Sequence, residues 1–471
     1  MSVRLDQVRG ATSAPATRLV PAVLAALVAG GCKGEGATGE RMGRNRDAAS
    51  VVMVDRPGAG SGDPLLDLPG EREPNALPAN ASALADGVQG VLDGEVDVDA
   101  FVITSPGPRM LFAALAPIAG IDSKLELRDR AFAVVATSDR GGAGVGEGLA
   151  GAPLDKGTYY LVVREVAKPV PKVKPKPGAP SAAPTGRVGR SPPYGLTARL
   201  LTDPAPGAER EPDDDAGAAN EVSLIEPATG HLGWTGDVDV WKLSLEGLAE
   251  GNGLDLTLGA VPGVTLSLAV TDAADRPRVA VTGLPGQPLT LRSVAPRLDP
   301  GQAPFHHVKV SGRPSNPDVP YTLAVSARLL DLDEEAEPND KPATATPLRY
   351  GAEDQGTMRG ALSAGEVDAF GLSPSSGPRQ LDASVDGVAG LDLVCEVVTA
   401  AGSSLGKGDA GGPGAGEDCT GAVAAGAEAY VRITAKPGKK PQAPAAYEVR
   451  WSSSVGGAPA ASADDPLPPE E

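Results

Sequence analysis

The chain of 471 residues carries 42 Lys and Arg against 61 Asp and Glu, a formal net charge of −19 at pH 7. Its 61 Gly and 46 Pro, close to a quarter of all residues, argue against an all-helical architecture, because helix interiors tolerate Gly poorly and Pro hardly at all. The acidity argues against a nucleic-acid partner, since phosphate recognition needs a basic face that none of the long segments supplies, and the length allows about three domains.

Residues 1–31 read as a secretory signal. Arg4, Arg9 and Arg18 precede an apolar run over 19–28, too short to span a bilayer, and a small-residue zone follows. That zone, Ala29-Gly30-Gly31-Cys32, resembles the lipobox of bacterial lipoproteins, although Ala29 stands where an aliphatic residue is usual. The resemblance implies lipidation at Cys32 and a membrane anchor, and Lys33 in place of Asp implies outer-membrane or cell-surface sorting. The alternative is an ordinary secreted chain with a Cys at this place. Residues 32–70, rich in Gly, Ala, Arg and Asp without periodicity, read as a flexible tether.

A pattern then occurs three times. It opens on Glu71-Arg72-Glu73-Pro74-Asn75, on Glu209-Arg210-Glu211-Pro212-Asp213-Asp214 and on Glu335-Ala336-Glu337-Pro338-Asn339-Asp340. An acidic pair with an aromatic follows: Asp97-Val98-Asp99-Ala100-Phe101, Asp237-Val238-Asp239-Val240-Trp241 and Glu366-Val367-Asp368-Ala369-Phe370. Each unit closes on a strand marked by Tyr194, Tyr321 or Tyr447. With only 5 Phe, 3 Trp and 7 Tyr, recurrence of aromatics at equivalent places marks them as core anchors. Between the landmarks, segments such as Leu254 to Leu258 and Val264 to Val270 alternate apolar and polar residues with the two-residue period of half-buried strands.

The expected fold is therefore all-β: three tandem antiparallel β-sandwich domains over 71–203, 209–330 and 333–453, with an acidic, disordered tail over 454–471. The first domain includes a Lys- and Pro-rich loop over 168–193, read as a solvated spacer, with contact to an anionic polymer as the alternative. The order EPND, DxDxF, GTYYLVV (157–163 in the first unit) and a final Y-x-L resembles the bacterial pre-peptidase C-terminal domain, a family of jelly-roll-like sandwiches that includes relatives of the collagen-binding domains of clostridial collagenases. The resemblance covers about residues 71–453 as three copies. The second departs most, with Asp213 for Asn and no GTYY. No peptidase domain accompanies them.

In calcium-binding relatives, acidic side chains of the EPND segment converge with those of the DxD segment, and calcium needs six to eight hard oxygen ligands. Carried over residue by residue, the resemblance implies Glu335, Glu337, Asn339, Asp340, Glu366 and Asp368 in the third unit, the fullest set. It implies Glu209, Glu211, Asp213, Asp214, Asp237 and Asp239 in the second. In the first it implies Glu71, Glu73, Asn75, Asp97 and Asp99, a weaker site because Ala76 stands where the others have Asp. The alternative is linker and turn chemistry, in which Asp and Asn bond nearby backbone amides.

Cys395 and Cys419, in an exported and oxidising context, read as a disulfide, with two buried free thiols as the alternative. Catalytic constellations are thin. His231, His306 and His307 are the only histidines and read as surface residues. Gly402-Ser403-Ser404-Leu405-Gly406 matches GxSxG but reads as a turn, because an α/β-hydrolase elbow needs a following helix and a later His. The Gly-rich stretch 141–148 reads as a loop. The chain is thus expected to be a non-catalytic exported lipoprotein that binds or organises extracellular polysaccharide or protein. The alternatives are a structural spacer without ligand and, least supported, an unrecognised hydrolase.

Overall fold

The computed structural model describes residues 68–166, 189–249, 251–298, 300–349, 354–362, 365–438 and 444–455. The signal segment, Cys32, most of the tether, most of the Lys- and Pro-rich loop and residues 456–471 lie outside these. Nine strands recur three times. The first unit holds β1 (Ser82–Ala83), β2 (Gly87–Gly90), β3 (Val98–Ser105), β4 (Arg109–Leu115), β5 (Ser123–Arg128), β6 (Val134–Ser138), β7 (Glu147–Leu154), β8 (Gly157–Glu165) and β9 (Tyr194–Leu201). The second holds β10 (Asn220–Val222), β11 (Ala228–Leu232), β12 (Val238–Ser244), β13 (Asn252–Leu258), β14 (Thr265–Asp272), β15 (Pro277–Thr282), β16 (Leu289–Val294), β17 (Phe305–Arg313) and β18 (Asn316–Leu329). The third holds β19 (Thr346–Pro347), β20 (Gln355–Leu362), β21 (Val367–Leu372), β22 (Arg379–Val385), β23 (Leu393–Thr399), β24 (Ser404–Gly408), β25 (Glu417–Val423), β26 (Ala429–Ala435) and β27 (Ala445–Val455).

Each unit pairs a five-stranded sheet with a four-stranded one in the same order: β1-β3-β8-β5-β6 with β2-β9-β4-β7, then β10-β12-β17-β14-β15 with β11-β18-β13-β16, then β19-β21-β26-β23-β24 with β20-β27-β22-β25. Three tandem β-sandwiches are therefore present. They are antiparallel except at one edge: β1, β10 and β19 each run parallel to the next strand of their sheet. The only helical element among the described residues is a 3-10 turn, Pro342–Thr344.

Alternation along each strand sends every second side chain into the gap between the sheets. β25, for example, buries Glu417, Cys419, Gly421 and Val423 and exposes the residues between. Phe101, Trp241 and Phe370 are 0 %, 1 % and 0 % exposed, as core anchors must be, and Tyr194, Tyr321 and Tyr447 lie beside them. In the third unit a disulfide joins Cys395 on β23 to Cys419 on β25, linking the two sheets. At the same register positions the other units bury leucines, Leu125 with Leu149 and Leu268 with Leu291.

Three expectations are corrected. His306 and His307 are not surface residues: both are buried, because β17 is the central strand of its sheet and is flanked on both sides. The GxSxG segment is a turn only as far as Ser403; from Ser404 it is the edge strand β24, whose backbone pairs with β23. The third sandwich extends through Ser454 and Val455, which pair with Gln380 and Arg379, so the tail begins no earlier than 456.

Candidate metal centre

The Glu-x-Glu-Pro segment is held in the same way three times. The first Glu of each unit donates its amide to a strand carbonyl: Glu71 to Gln89, Glu209 to Thr229 and Glu335 to Arg359, at 2.9, 2.9 and 3.0 Å. Its Oε1 then accepts an amide two residues further along that strand, from Val91, His231 and Ala361 at 2.6, 2.7 and 2.7 Å. The second Glu turns back on its own segment, its Oε2 accepting the amide of Asn75, Asp213 or Asn339 at 3.0, 3.0 and 3.1 Å. The carbonyl of that Asn or Asp takes the amide of Ala100, Val240 or Ala369, which follows the second acidic residue of the DxD segment. Two sequence motifs remote along the chain are thereby sewn together by main-chain bonds.

Between them the carboxylates converge. Glu71, Glu73 and Asp99 form one group, Glu211, Asp213 and Asp239 a second, and Glu335, Glu337 and Asp368 a third, with one oxygen from each residue within 4.8 Å of the others. Oxygens on opposite sides of a calcium ion are about 4.8 Å apart, so this is the span of a calcium shell. A strand Tyr closes the floor. Tyr194 donates its hydroxyl to Asp99, Tyr447 donates to Asp368 at 2.5 Å, and Tyr321 accepts Trp241 Nε1 at 2.9 Å beside Asp239.

The triads bring together only part of the implied ligands. Asn75 and Asn339 are fully buried beside their triads. Glu209 and Asp237 are buried too, each with one oxygen on the amide of His231 or Gly233 and the other, Glu209 Oε2 or Asp237 Oδ1, without a hydrogen-bond partner, as at Glu335. Asp97 accepts the amides of Asp93 and Val98, which is turn chemistry. Asp214 and Asp340 are exposed, and Glu366 is half-buried at the rim. The second and third triads are equally deeply buried.

A glycine opposite each first Glu escaped the sequence reading. A Cβ on Gly90, Gly230 or Gly360 would lie 2.4 Å from the Tyr194 ring, 2.0 Å from Glu209 Oε2 or 2.2 Å from Glu335 Oε2. These glycines leave room for the carboxylate and the Tyr. Their spacing from the Glu varies between units, which hid them from the repeat.

Electrostatically the sites are poised against themselves. Burial, with repulsion from Asp213 and Asp237, pushes the Glu211 carboxyl up to about 10. Burial also raises Asp213 to about 7 and Asp237 to about 8, and, with repulsion from Glu366 and Asp340, Glu337 to about 8. Asp239, Glu335 and Asp368 are raised well above the usual range by burial and neighbouring carboxylates. Asp99 rises to about 8 by burial despite the Tyr194 bond. Glu335 Oε2, Glu337 Oε1, Asn339 Oδ1 and Asp368 Oδ1 are all buried without a hydrogen-bond partner, as are Asp213 Oδ1 and Asp99 Oδ1. Buried acceptors without donors are rare in folded proteins. An all-oxygen donor set of this size and charge fits a hard divalent cation, and the third set opens on a cleft of about 1130 Å³ lined by Leu291, Ser293, Arg359 and Tyr447.

Among the described residues no helix is long and apolar enough to cross a membrane. No protein family and no curated protein matches the chain by sequence. Solved structures similar to it include a periplasmic inhibitor of g-type lysozyme from Aeromonas hydrophila, 11% identical over 23% of this chain and 96% of that one, with a TM-score of 0.20. The pre-peptidase C-terminal domain of a Bacillus anthracis collagenase is 15% identical over 25% of this chain and 90% of that one, with a TM-score of 0.18. The tandem N-terminal CBM22 domains of Paenibacillus barcinonensis Xyn10C are 7% identical over 46% and 83%, with a TM-score of 0.16. The pre-peptidase C-terminal domain is thus among the structural neighbours, and the repeated strand order carries the fold.

Proposed function

We propose that this chain is a non-catalytic exported protein, anchored by lipid at Cys32, whose three sandwiches bind calcium at the Glu-x-Glu-Pro sites and so present a stiffened array to an extracellular polysaccharide or protein. The observation that carries this reading is the threefold recurrence of a carboxylate triad on one main-chain scaffold, with buried oxygens lacking donors in each. Bound calcium would neutralise carboxylates that otherwise repel one another and would tie the Glu-x-Glu-Pro segment to the DxD strand. Glu335, Glu337, Asn339 and Asp368 would hold it in the third unit, Glu211, Asp213 and Asp239 in the second, and Glu71, Glu73 and Asp99 in the first.

The test is calorimetric titration with calcium, together with melting in calcium and in chelator, of the chain carrying Cys32→Ser. Loss of one binding event on replacing Glu337 and Asp368 supports the reading. Absence of binding at millimolar calcium leaves the second reading, a structural spacer without ligand, which the turn bonds to both oxygens of Asp97 favour. A hydrolase draws no support from the geometry, since all three histidines lie in the second unit and Ser404 lies in the third.

A further inference from the structure

The outer strand of the four-stranded sheet differs between units in one respect. In the first unit Leu111 pairs with Ala152 and Ala113 with Leu149, so Phe112 faces both Ala150 and Gly151. In the second Leu254 pairs with Val294 and Leu256 with Leu291, so Asp255 faces both Arg292 and Ser293. Each is a bulge with one extra residue on β7 or β16, and in each the second bulged residue has positive φ: Gly151 at 76° and Ser293 at 55°. In the third unit the equivalent strand β25 pairs with β22 residue for residue, and Gly421 is not left-handed.

The two bulges are also where the next unit touches. Glu337, the second Glu of the third unit, donates its amide to the Ser293 carbonyl at 2.9 Å, and its carbonyl accepts the Ala295 amide at 2.7 Å. Ser293 Oγ donates to Glu334 at 3.0 Å, while Asp255 accepts the Ser293 amide at 3.0 Å. Arg328 joins Asp255 and Glu334 from the side, at 2.8 and 2.7 Å. At the first junction the Ala150 amide points to the Gly233 carbonyl of the second unit, and a Cβ on Gly151 would lie 3.5 Å from Glu211 Cγ. Glu211 is the equivalent of Glu337, so both bulges address the same element of the following sandwich.

We infer that the bulged outer strand is a docking surface for the Glu-x-Glu-Pro segment of a following sandwich of the same kind, and that it holds each junction in one arrangement without needing an ion. A straight edge strand presents its amides and carbonyls in a flat row open to any other strand. The bulge turns the Ser293 carbonyl and the Ala295 amide out of that row, so that they pair with a single residue, Glu337. The third unit lacks the bulge and so lacks this docking surface.

The test is pulsed electron-spin distance measurement on the chain carrying Cys32→Ser, with labels at Thr257→Cys and Asp418→Cys, in calcium and in chelator. The expected result is one narrow distance distribution in both solutions. Ser293→Val, a β-branched residue disfavoured at positive φ, broadens it at least twofold, whereas Ser293→Gly leaves it narrow. Phe132→Val, at another positive-φ position (63°) away from either junction, also leaves it narrow. Should Ser293→Val fail to fold, Glu334→Ala removes the Ser293 contact from the other side and broadens the distribution. A native distribution that is broad in chelator and narrow only in calcium overturns the inference while upholding the calcium sites. A distribution unchanged by both Ser293→Val and Glu334→Ala overturns it outright.

Discussion

The first acidic site and the two that follow share a scaffold and differ in neighbours. Glu73 is exposed, whereas its equivalents Glu211 and Glu337 are 7 % and 6 % exposed, because the preceding sandwich covers them. The local bonds are the same to within a few tenths of an ångström, yet Glu211 and Glu337 are driven far up in pKa. Burial under the preceding sandwich thus raises the second Glu of the motif, while Asp99 is raised to about 8 by burial within its own unit, so junction and motif both set the electrostatics. Burial strips water from carboxylates that the scaffold has already placed side by side.

The largest expected effect tests the shared scaffold. Gly360→Val would push into Glu335 Oε2 and the Tyr447 ring, displacing both from the floor of the site, and is expected to cost the third unit about 3 kcal/mol, as overpacking does at its upper end. Chemical denaturation of that variant beside Gly90→Val, whose Cβ meets the Tyr194 ring and Glu71, checks whether the requirement holds where the second Glu is exposed.

The next effect sharpens the contrast between sites. Glu337→Gln should abolish calcium binding at the third site and remove most of its share of the melting-temperature rise, while Glu73→Gln should weaken the first site about tenfold or less, since an exposed ligand is replaced by water at little cost. Calorimetric titration of the two variants would break the comparison if both lost equal affinity.

A third effect concerns pH. Carboxyls whose pKa is raised in the fold bind protons more tightly there than in the unfolded chain, so their contribution favours the native state at low pH and is lost as pH rises. In chelator, stability should fall from about pH 4 upward, through the values near 7 to 8 of Asp213, Asp237, Asp99 and Glu337 and on toward the value near 10 of Glu211. Melting scans from pH 5 to 9 should show that slope flattened by calcium. A stability that rises with pH in chelator would contradict the burial of these groups.

The smallest effect isolates one carboxylate. In chelator at pH 8, Glu211→Gln should stabilise the second unit by about 2 kcal/mol, because it relieves a desolvated acid beside Asp213 and Asp237. Glu73→Gln, on an exposed side chain, should change stability by less than about 0.5 kcal/mol. Paired denaturation curves measure the difference.

Much of this protein was legible in its amino-acid order. Two-residue alternation, the Gly and Pro content and the recurrence of Glu-x-Glu-Pro, Asp-x-Asp and Tyr pointed to three β-sandwiches, their aromatic anchors and the acidic segments around each site, because each signal is local or repeats with the units. Only the tertiary structure decided which of those acids converge. Asp97 looks like a ligand in the motif, but turn amides bond both its oxygens, while Gly90, Gly230 and Gly360 become part of the site through strand register that no local pattern reveals. The burial of His306 and His307 follows from their place on a central strand, and the parallel edges β1, β10 and β19 follow from pairings between segments well apart in the chain. The bulges at Gly151 and Ser293 show the limit most plainly. A left-handed Ser and a left-handed Gly share no sequence mark, and what lies against them, the Glu337 main chain at one and Glu211 with the Gly233 carbonyl at the other, is brought there only by the following sandwich.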